Sequence, residues 1–306
     1  MRIVFFGTPE FAVPSLEALI AERAAVVGVV TQPDKPRGRS RSALVPPPVK
    51  VVAERRGLSV LQPERPVGDV FLAALRHWRP ELGVVVAYGH ILRPEVLALP
   101  SRGMINLHPS LLPELRGAAP INWAILRGDA DTGVTIIQME AGMDSGPILT
   151  QAVTPIGANE TAGELAGRLA RLGAENLVEA IALMQMGRLR PVAQDAARAT
   201  LAPKIDRKLT RIAWGEPAAA VSRRIRAFDP EPGAWTTWNE TEVKLFAPTA
   251  GRGEGEPGEV VSIRPLRVAA GPGVVEIAEV QPAGRARMTG EGWCRGRGPQ
   301  IGDRLE

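Results

Sequence analysis

The chain has 306 residues and a mass of 32.7 kDa, enough for one large domain or two smaller ones. With 45% hydrophobic and 23% charged residues it can bury a full core, which excludes a chain that is disordered as a whole. The formal charge is +4 and the pI is near 9.7, but only five residues are lysine, so the positive charge is nearly all arginine and points to an anionic partner only where it clusters. In chain order, residues 2–6 form an apolar run that Gly7, Thr8, Pro9 and Glu10 interrupt, too short for a secretory signal. Further apolar runs at 25–31, 82–87 and 104–108 each have helical material beside them, and residues 132–139 read as another strand. Runs of this kind are strands buried on both faces, which predicts a Rossmann-like open α/β sheet with ligands beyond the carboxyl ends of its strands. Residues 161–186 are expected to be helical, because Thr161 and Glu164 have the spacing of a capping box and apolar residues recur at three- and four-residue steps.

After Gly187 the periodicity fades, and residues 188–207 carry Pro191 and Pro203, the texture of a linker. A helical piece at 217–227 is followed by β-like runs at 234–238, 242–246, 258–263 and 274–280. The expected organisation is therefore a catalytic domain at 1–187, a linker at 188–207, and a smaller, mostly-β, OB-like barrel at 208–306. No stretch approaches the roughly 20 apolar residues of a membrane helix, so a cytoplasmic enzyme without a membrane partner is the expectation. Cys294, the single cysteine, reads as an inert thiol. Three histidines, His77, His90 and His108, are too few and scattered for a metal centre, so no metal is expected.

The first strand runs into Gly7-Thr8-Pro9-Glu10-Phe11, which lacks the glycines of a dinucleotide cradle, and no Walker A sequence occurs. A nicotinamide enzyme or a kinase is thereby disfavoured. The richest segment is Ile105-Asn106-Leu107-His108-Pro109-Ser110-Leu111-Leu112-Pro113. Asn106 and His108, two apart at a strand end, share a face. Their spacing leaves two readings open: a pair aimed at a developing oxyanion, or a capped strand end that satisfies local backbone. Asp144, between Gly142 and Gly146, is either a turn residue or a carboxylate that orients His108 and raises its pKa.

With these residues the sequence resembles the methionyl-tRNA formyltransferases, a branch of the folate-dependent formyltransferase family. The resemblance rests on Phe6 through Phe11; on Thr31-Gln32-Pro33-Asp34 with Gly38-Arg39; on Asn106 through Pro113 with Arg116-Gly117-Ala118-Ala119-Pro120-Ile121; and on Gly133 through Ile136 with Gly142 through Gly146. It continues in Ala202-Pro203-Lys204-Ile205 and Arg226-Ala227-Phe228 and extends to about residue 285. It implies transfer of a formyl group from 10-formyltetrahydrofolate to the α-amine of methionine on initiator Met-tRNA, with Asn106, His108 and Asp144 as the catalytic trio. It implies folate contacts from Ser110, Leu111, Leu112 and Pro113, and a pterin-pocket wall from Tyr88, Gly89, Ile91 and Leu92 within the run 85–92. His90 stands where many relatives carry an apolar residue and is read as a pocket-rim residue.

Two basic regions fit an RNA partner. Residues 35–41 hold Lys35, Arg37, Arg39 and Arg41 without an acid, beyond the second strand on the catalytic edge. Lys204, Arg207, Lys208, Arg211, Arg223, Arg224 and Arg226 outnumber Asp206, Glu216 and nearby Asp229. The expected partners are initiator Met-tRNA and the folate, with the chain acting as a monomer. Two competitors stay open: a formyltransferase for another amine, and a catalytically silent RNA-binding protein.

Overall fold

The computed structural model describes residues 1–37 and 43–306. They form two compact units, one of residues 1–117, 132–154 and 166–201, the other of residues 118–131, 155–165 and 202–306. This division departs from the expected boundaries at 187 and 208. Residues 188–201 are part of the first unit because their backbone is satisfied there: Ile148 and Val192 exchange both hydrogen bonds, at 2.8 and 2.9 Å.

In chain order the strands of the first half are β1 (Arg2–Gly7), β2 (Ala25–Val30), β3 (Lys35–Arg37), β4 (Ala43–Val45), β5 (Val60–Leu61), β6 (Leu82–Val86), β7 (Met104–His108), β8 (Arg116–Gly117), β9 (Asp131–Gln138) and β10 (Ile148–Pro155). Seven of them make one sheet, in the order β10-β9-β7-β6-β1-β2-β5. β1 pairs in parallel with β2 and β6, and β6 with β7. Every residue of β6, and every residue of β1 after Arg2, is buried, which is why unbroken apolar runs mark these central strands. β10 alternates between half-buried and exposed residues, an edge texture that a search for apolar runs passes over.

The helices are α1 (Val13–Ala21), α2 (Pro48–Arg55), α3 (Asp69–His77), α4 (Pro94–Leu97), α5 (Pro120–Arg127) and the long α6 (Ala162–Gln185). Four of them, α1, α2, α4 and α5, carry proline in the first turn, where its missing N–H leaves no intrahelical bond unmade. α6 opens on the predicted capping box: Glu164 N donates to Thr161 Oγ1 at 3.3 Å, and Thr161 N donates to Glu164 Oε2 at 2.9 Å. Further along α6, a Cβ on Gly173 would stand 2.6 Å from Leu107 Cδ1, so glycine lets the helix seat directly behind β7.

The further strand expected at 132–139 is β9, which runs antiparallel to β7 and pairs Thr135 with His108 and Gln138 with Ile105. The carboxyl end of β9 therefore lies beside the start of β7, away from His108.

The second unit carries β11 (Leu201–Ala202) at its border, then α7 (Ala218–Phe228), β12 (Ala234–Trp238), β13 (Thr241–Gly251), β14 (Val260–Ile263), β15 (Leu266–Ala269), β16 (Val274–Pro282), β17 (Met288–Thr289) and α8 (Gly290–Arg295). Its main sheet is antiparallel, in the order β12-β13-β16-β15-β14, with β17 added to β16. This is the separate, mostly-β body expected from the short runs between glycines and prolines. Asn239 and Glu240, both at positive φ (47° and 59°), turn β12 into β13. Among the described residues no helix is long and apolar enough to cross a membrane.

Candidate active site

The parallel register aligns Gly7 with Val86, and Val86 with Leu107, so the segments that leave β1, β6 and β7 emerge from one edge of the sheet. His108 is the last residue of β7 and is 4% exposed. Its Nε2 lies 2.9 Å from the Leu115 carbonyl oxygen. A carbonyl only accepts, so Nε2 carries the proton, and in the neutral ring Nδ1 is left with its lone pair. Nδ1 faces Asp144 Oδ2 at 3.7 Å. Burial pushes the imidazole below its ordinary value, against the upward pull of Asp144 and of the Leu115 carbonyl. The expectation that Asp144 raises the pKa thus gives the sign of one contribution; desolvation of the ring is the larger one. Asn106, two residues earlier on the same face, is half-buried, and its carboxamide is hydrogen-bonded to no described residue.

Because β9 ends at the far side of β7, Asp144 reaches His108 only through the course of the 139–147 loop. Asp144 sits at φ 50°. Gly117 N donates to its Oδ2 at 2.9 Å. Gln194 Nε2 donates to the backbone oxygens of Asp144 (2.8 Å) and Gly146 (2.7 Å), and Arg116 donates to Gln194 Oε1 through Nη2 (2.6 Å) and Nε (3.1 Å). A Cβ on Gly146 would overlap the Gln138 carbonyl oxygen, which fixes glycine at the point where the loop doubles back. Sequence reasoning missed Gln194 as a support, because it lies in the stretch read as linker and its partners are 48 to 78 residues away.

The segment after His108 is fixed by a threonine. Thr135 Oγ1 donates to the Ser110 carbonyl (2.6 Å) and accepts from Leu112 N (3.1 Å) and Gln151 Nε2 (3.0 Å). Ser110 and Leu112 are 1% and 3% exposed, Pro113 is buried, and Ser110 Oγ donates to Glu114 O at 2.7 Å. Three of the four expected folate contacts therefore turn their side chains into the protein; Leu111 is half-buried. The expected pocket wall divides too. Tyr88 and Leu92 belong to the apolar core around Phe6, and burial pushes the Tyr88 phenol up to about 12. They are core residues because the sheet needs their bulk beneath the edge. Gly89 sits at φ 86°, Ile91 is exposed, and the half-buried His90 ring lies 5.4 Å from that of Tyr88. His77 is exposed at the end of α3, and Cys294 is a buried free thiol pushed up by burial.

At the same edge, Thr8 Oγ1 and Gln32 Nε2 both donate to the Tyr88 carbonyl, at 2.9 and 3.0 Å. Beside them is a cleft of about 280 Å3 lined by Pro9, Pro33, Pro36 and Pro46 together with Thr8 and Lys35. β3 and β4 pair antiparallel, Lys35 with Val45 and Arg37 with Ala43. Arg39, Arg41 and the side chain of Arg37 lie outside the described residues. Lys35 and, in the second unit, Lys204 are exposed.

Over residues 1–181 the chain matches the formyl transferase family, and over residues 204–298 the formyl transferase C-terminal domain. It is 44% identical over 306 residues to a methionyl-tRNA formyltransferase of Magnetococcus marinus, with 99% of this chain and 98% of that one covered. Two solved structures share the fold. WlaRD, a sugar 3N-formyl transferase solved in the presence of dTDP and 5-N-formyl-THF, matches with a TM-score of 0.69 at 18% identity over 94% of this chain and 99% of its own. HypX from Aquifex aeolicus, in complex with tetrahydrofolic acid, matches with a TM-score of 0.69 at 20% identity over 95% of this chain, which spans about half (46%) of HypX.

Proposed function

The chain belongs to the formyl transferase family, and we propose that it transfers the formyl group of 10-formyltetrahydrofolate to the α-amine of methionine on initiator Met-tRNA. The observation that carries this reading is the 44% identity, over almost the whole of both chains, to an enzyme of that name. The likeness to the sugar enzyme is one of fold alone.

The residues at the sheet edge suit such a donor. Ile91, after β6, and Met143, beside Asp144, are large apolar side chains exposed at 91% and 64%, a fit for the flat faces of a pterin. Leu111 and the backbone around Gly89 complete the folate-binding set; Ser110, Leu112, Pro113, Tyr88 and Leu92 act by holding that backbone in place. The donor supplies the formyl carbonyl. Asn106 offers an uncommitted amide N–H to the oxygen on which negative charge develops. His108 is kept neutral by burial, so its Nδ1 lone pair accepts the proton that the attacking amine must lose and returns it to the donor nitrogen as the bond between that nitrogen and the formyl carbon breaks, which releases tetrahydrofolate. Asp144 stabilises the imidazolium once it forms, and the Leu115 carbonyl holds the ring through Nε2–H. This assigns His108 to the proton and not to the oxyanion, because its single N–H is already taken.

Lys35, Arg37, Arg39, Arg41 and Lys204 are the proposed phosphate contacts, in a cytoplasmic monomer. Formyl transfer assayed on purified protein with formyl-folate and a panel of amines should give methionyl-tRNA as the preferred acceptor. Preference for an amino sugar or a purine precursor would overturn the reading. Replacing Arg37, Arg39 and Arg41 with alanine should weaken tRNA binding without affecting folate binding. Each lost phosphate contact should flatten the dependence of log affinity on log salt by about one unit. Wild-type and triple-variant titrations that coincide at every ionic strength would take these arginines out of tRNA recognition.

A further inference from the structure

The second unit holds a cavity of about 320 Å3 that shares no residue with the group around His108. α7 lines it with Ser222, Arg223 and Arg226; the two arginines, three positions apart, share a helix face. Ile125 and Ile156 supply apolar lining, and Asn159 and Thr249 supply polar groups.

The arginines are only partly satisfied. Arg226 is 9% exposed; its Nη1 donates to the Glu160 carbonyl at 3.0 Å, but its Nε is buried without a partner. The Nε of Arg223 is also buried without a partner, and its guanidinium lies across Gly128, where a Cβ would come within 3.2 Å of Nε. The acids at hand have other work. Asp129 pairs with Arg127 at 3.2 Å, and Glu160 Oε2 accepts from Gly157 N at 2.9 Å. Elsewhere in this unit arginines meet carboxylates directly: Arg207 with Glu242, Arg224 with Glu216, Arg267 with Glu276, Arg287 with Asp229. Burial first, and then the charge of Arg223, pull Arg226 below its ordinary value, while Glu160 opposes them. A guanidinium nonetheless stays charged at any physiological pH. Two adjacent like charges lining one cavity make a site suited to an anion.

We propose that this cavity binds a small phosphomonoester, with its phosphate between Arg223 and Arg226 and its organic part among Ile125, Ile156, Ser222 and Thr249. A monoester near pH 7 brings close to two negative charges to two guanidiniums, whereas a phosphodiester of an RNA backbone brings one. The volume is at the lower end of small-molecule sites and suits a sugar phosphate or a mononucleotide.

Calorimetric titration of the full chain with AMP, ribose 5-phosphate and inorganic phosphate tests this, with adenosine and ribose as phosphate-free controls and uncharged tRNA as the polymeric source. One phosphomonoester should bind saturably at one site per chain, and adenosine or ribose at least tenfold more weakly. Arg223→Ala should weaken the binding at least tenfold and Arg223→Lys by less, since lysine keeps the charge without the fork. Arg226 is deep enough that its removal risks the fold, so Ala219→Trp, at an exposed lining position, serves as the second variant; it should block binding with both guanidiniums in place. Melting curves establish that both variants fold. The proposal fails if no phosphomonoester saturates, if adenosine binds as well as AMP, if tRNA alone binds, or if neither variant changes the affinity.

Discussion

Among the described residues, each unit buries one side chain able to carry a positive charge, and the two solve the problem differently. In the first, His108 ends a central strand; in the second, Arg226 lies on a helix beside a cavity. Burial is the largest influence on both and pushes both below their ordinary values. The ordinary value of histidine is close to neutrality, so the ring escapes the cost by giving up its proton and becomes a base that Asp144 can recharge, 3.7 Å away. Arginine has no such exit, and its charge must be met by acceptors, of which the structure provides the Glu160 carbonyl. Desolvation therefore yields a proton acceptor in one place and a charge in need of acceptors in the other.

The sharpest way to break this contrast is to remove the chemistry of the first site. Asn106→Ala, His108→Ala and Asp144→Ala should each reduce kcat about 100- to 1,000-fold, the scale of a lost oxyanion donor or proton carrier, while tRNA binding changes little. Retained turnover in His108→Ala would leave the buried ring as packing only and turn attention to His90.

How much of this was readable beforehand depends on whether a residue acts through its neighbours in sequence or through distant ones. The central strands were legible because burial on both faces leaves no polar position in Val84, Val85 and Val86 or in Phe5 and Phe6. The start of α6 was legible because Thr161 and Glu164 satisfy each other over three residues. The pairing of Asn106 with His108 on one face follows from strand geometry alone, whereas the glycines around Asp144 left it either a turn residue or a carboxylate for His108, and only the family resemblance favoured the second. The direction of β9 was not legible, since an apolar strand reads the same either way. Nor could a sequence tell Tyr88 in the core from Ile91 in solvent, three residues on, because both are large and largely apolar. Gln194 carried no local signal whatever; its role exists only because the Asp144 loop doubles back to it.

That loop offers the next test. Gln194→Ala should cost about tenfold in kcat with little change in KM, because small displacements of a reacting group are expensive while substrate contacts remain. Gln194 acts by positioning, so its distinguishing readout is the pH profile. As Asp144 drifts from His108 its upward pull weakens, and the acid limb of kcat/KM should move to lower pH, as it should in Asp144→Asn. A variant that loses rate with an unmoved limb would show that Gln194 supports the fold and not the proton.

The smallest expected effect bears on the contrast most directly. The folded-state pKa of His108 lies below its unfolded value, near 6.5. Between the two values the unfolded chain binds more protons, so stability rises with pH, by at most about 1.4 kcal/mol per pH unit for one proton. The contribution is complete above about pH 6.5 and is lost as pH falls through the folded value. His108→Gln cannot titrate, so its stability relative to wild type should fall less steeply on acidification. Arg226→Met should leave that pH dependence as it is in wild type, since the guanidinium is charged in both states across this range, whatever the substitution does to absolute stability. Denaturation midpoints of the three proteins between pH 5 and 8 decide the matter. If wild type and His108→Gln run parallel, the ring is not buried in its neutral form; if Arg226→Met alters the slope as much as His108→Gln does, the distinction between an optional and a permanent buried charge fails.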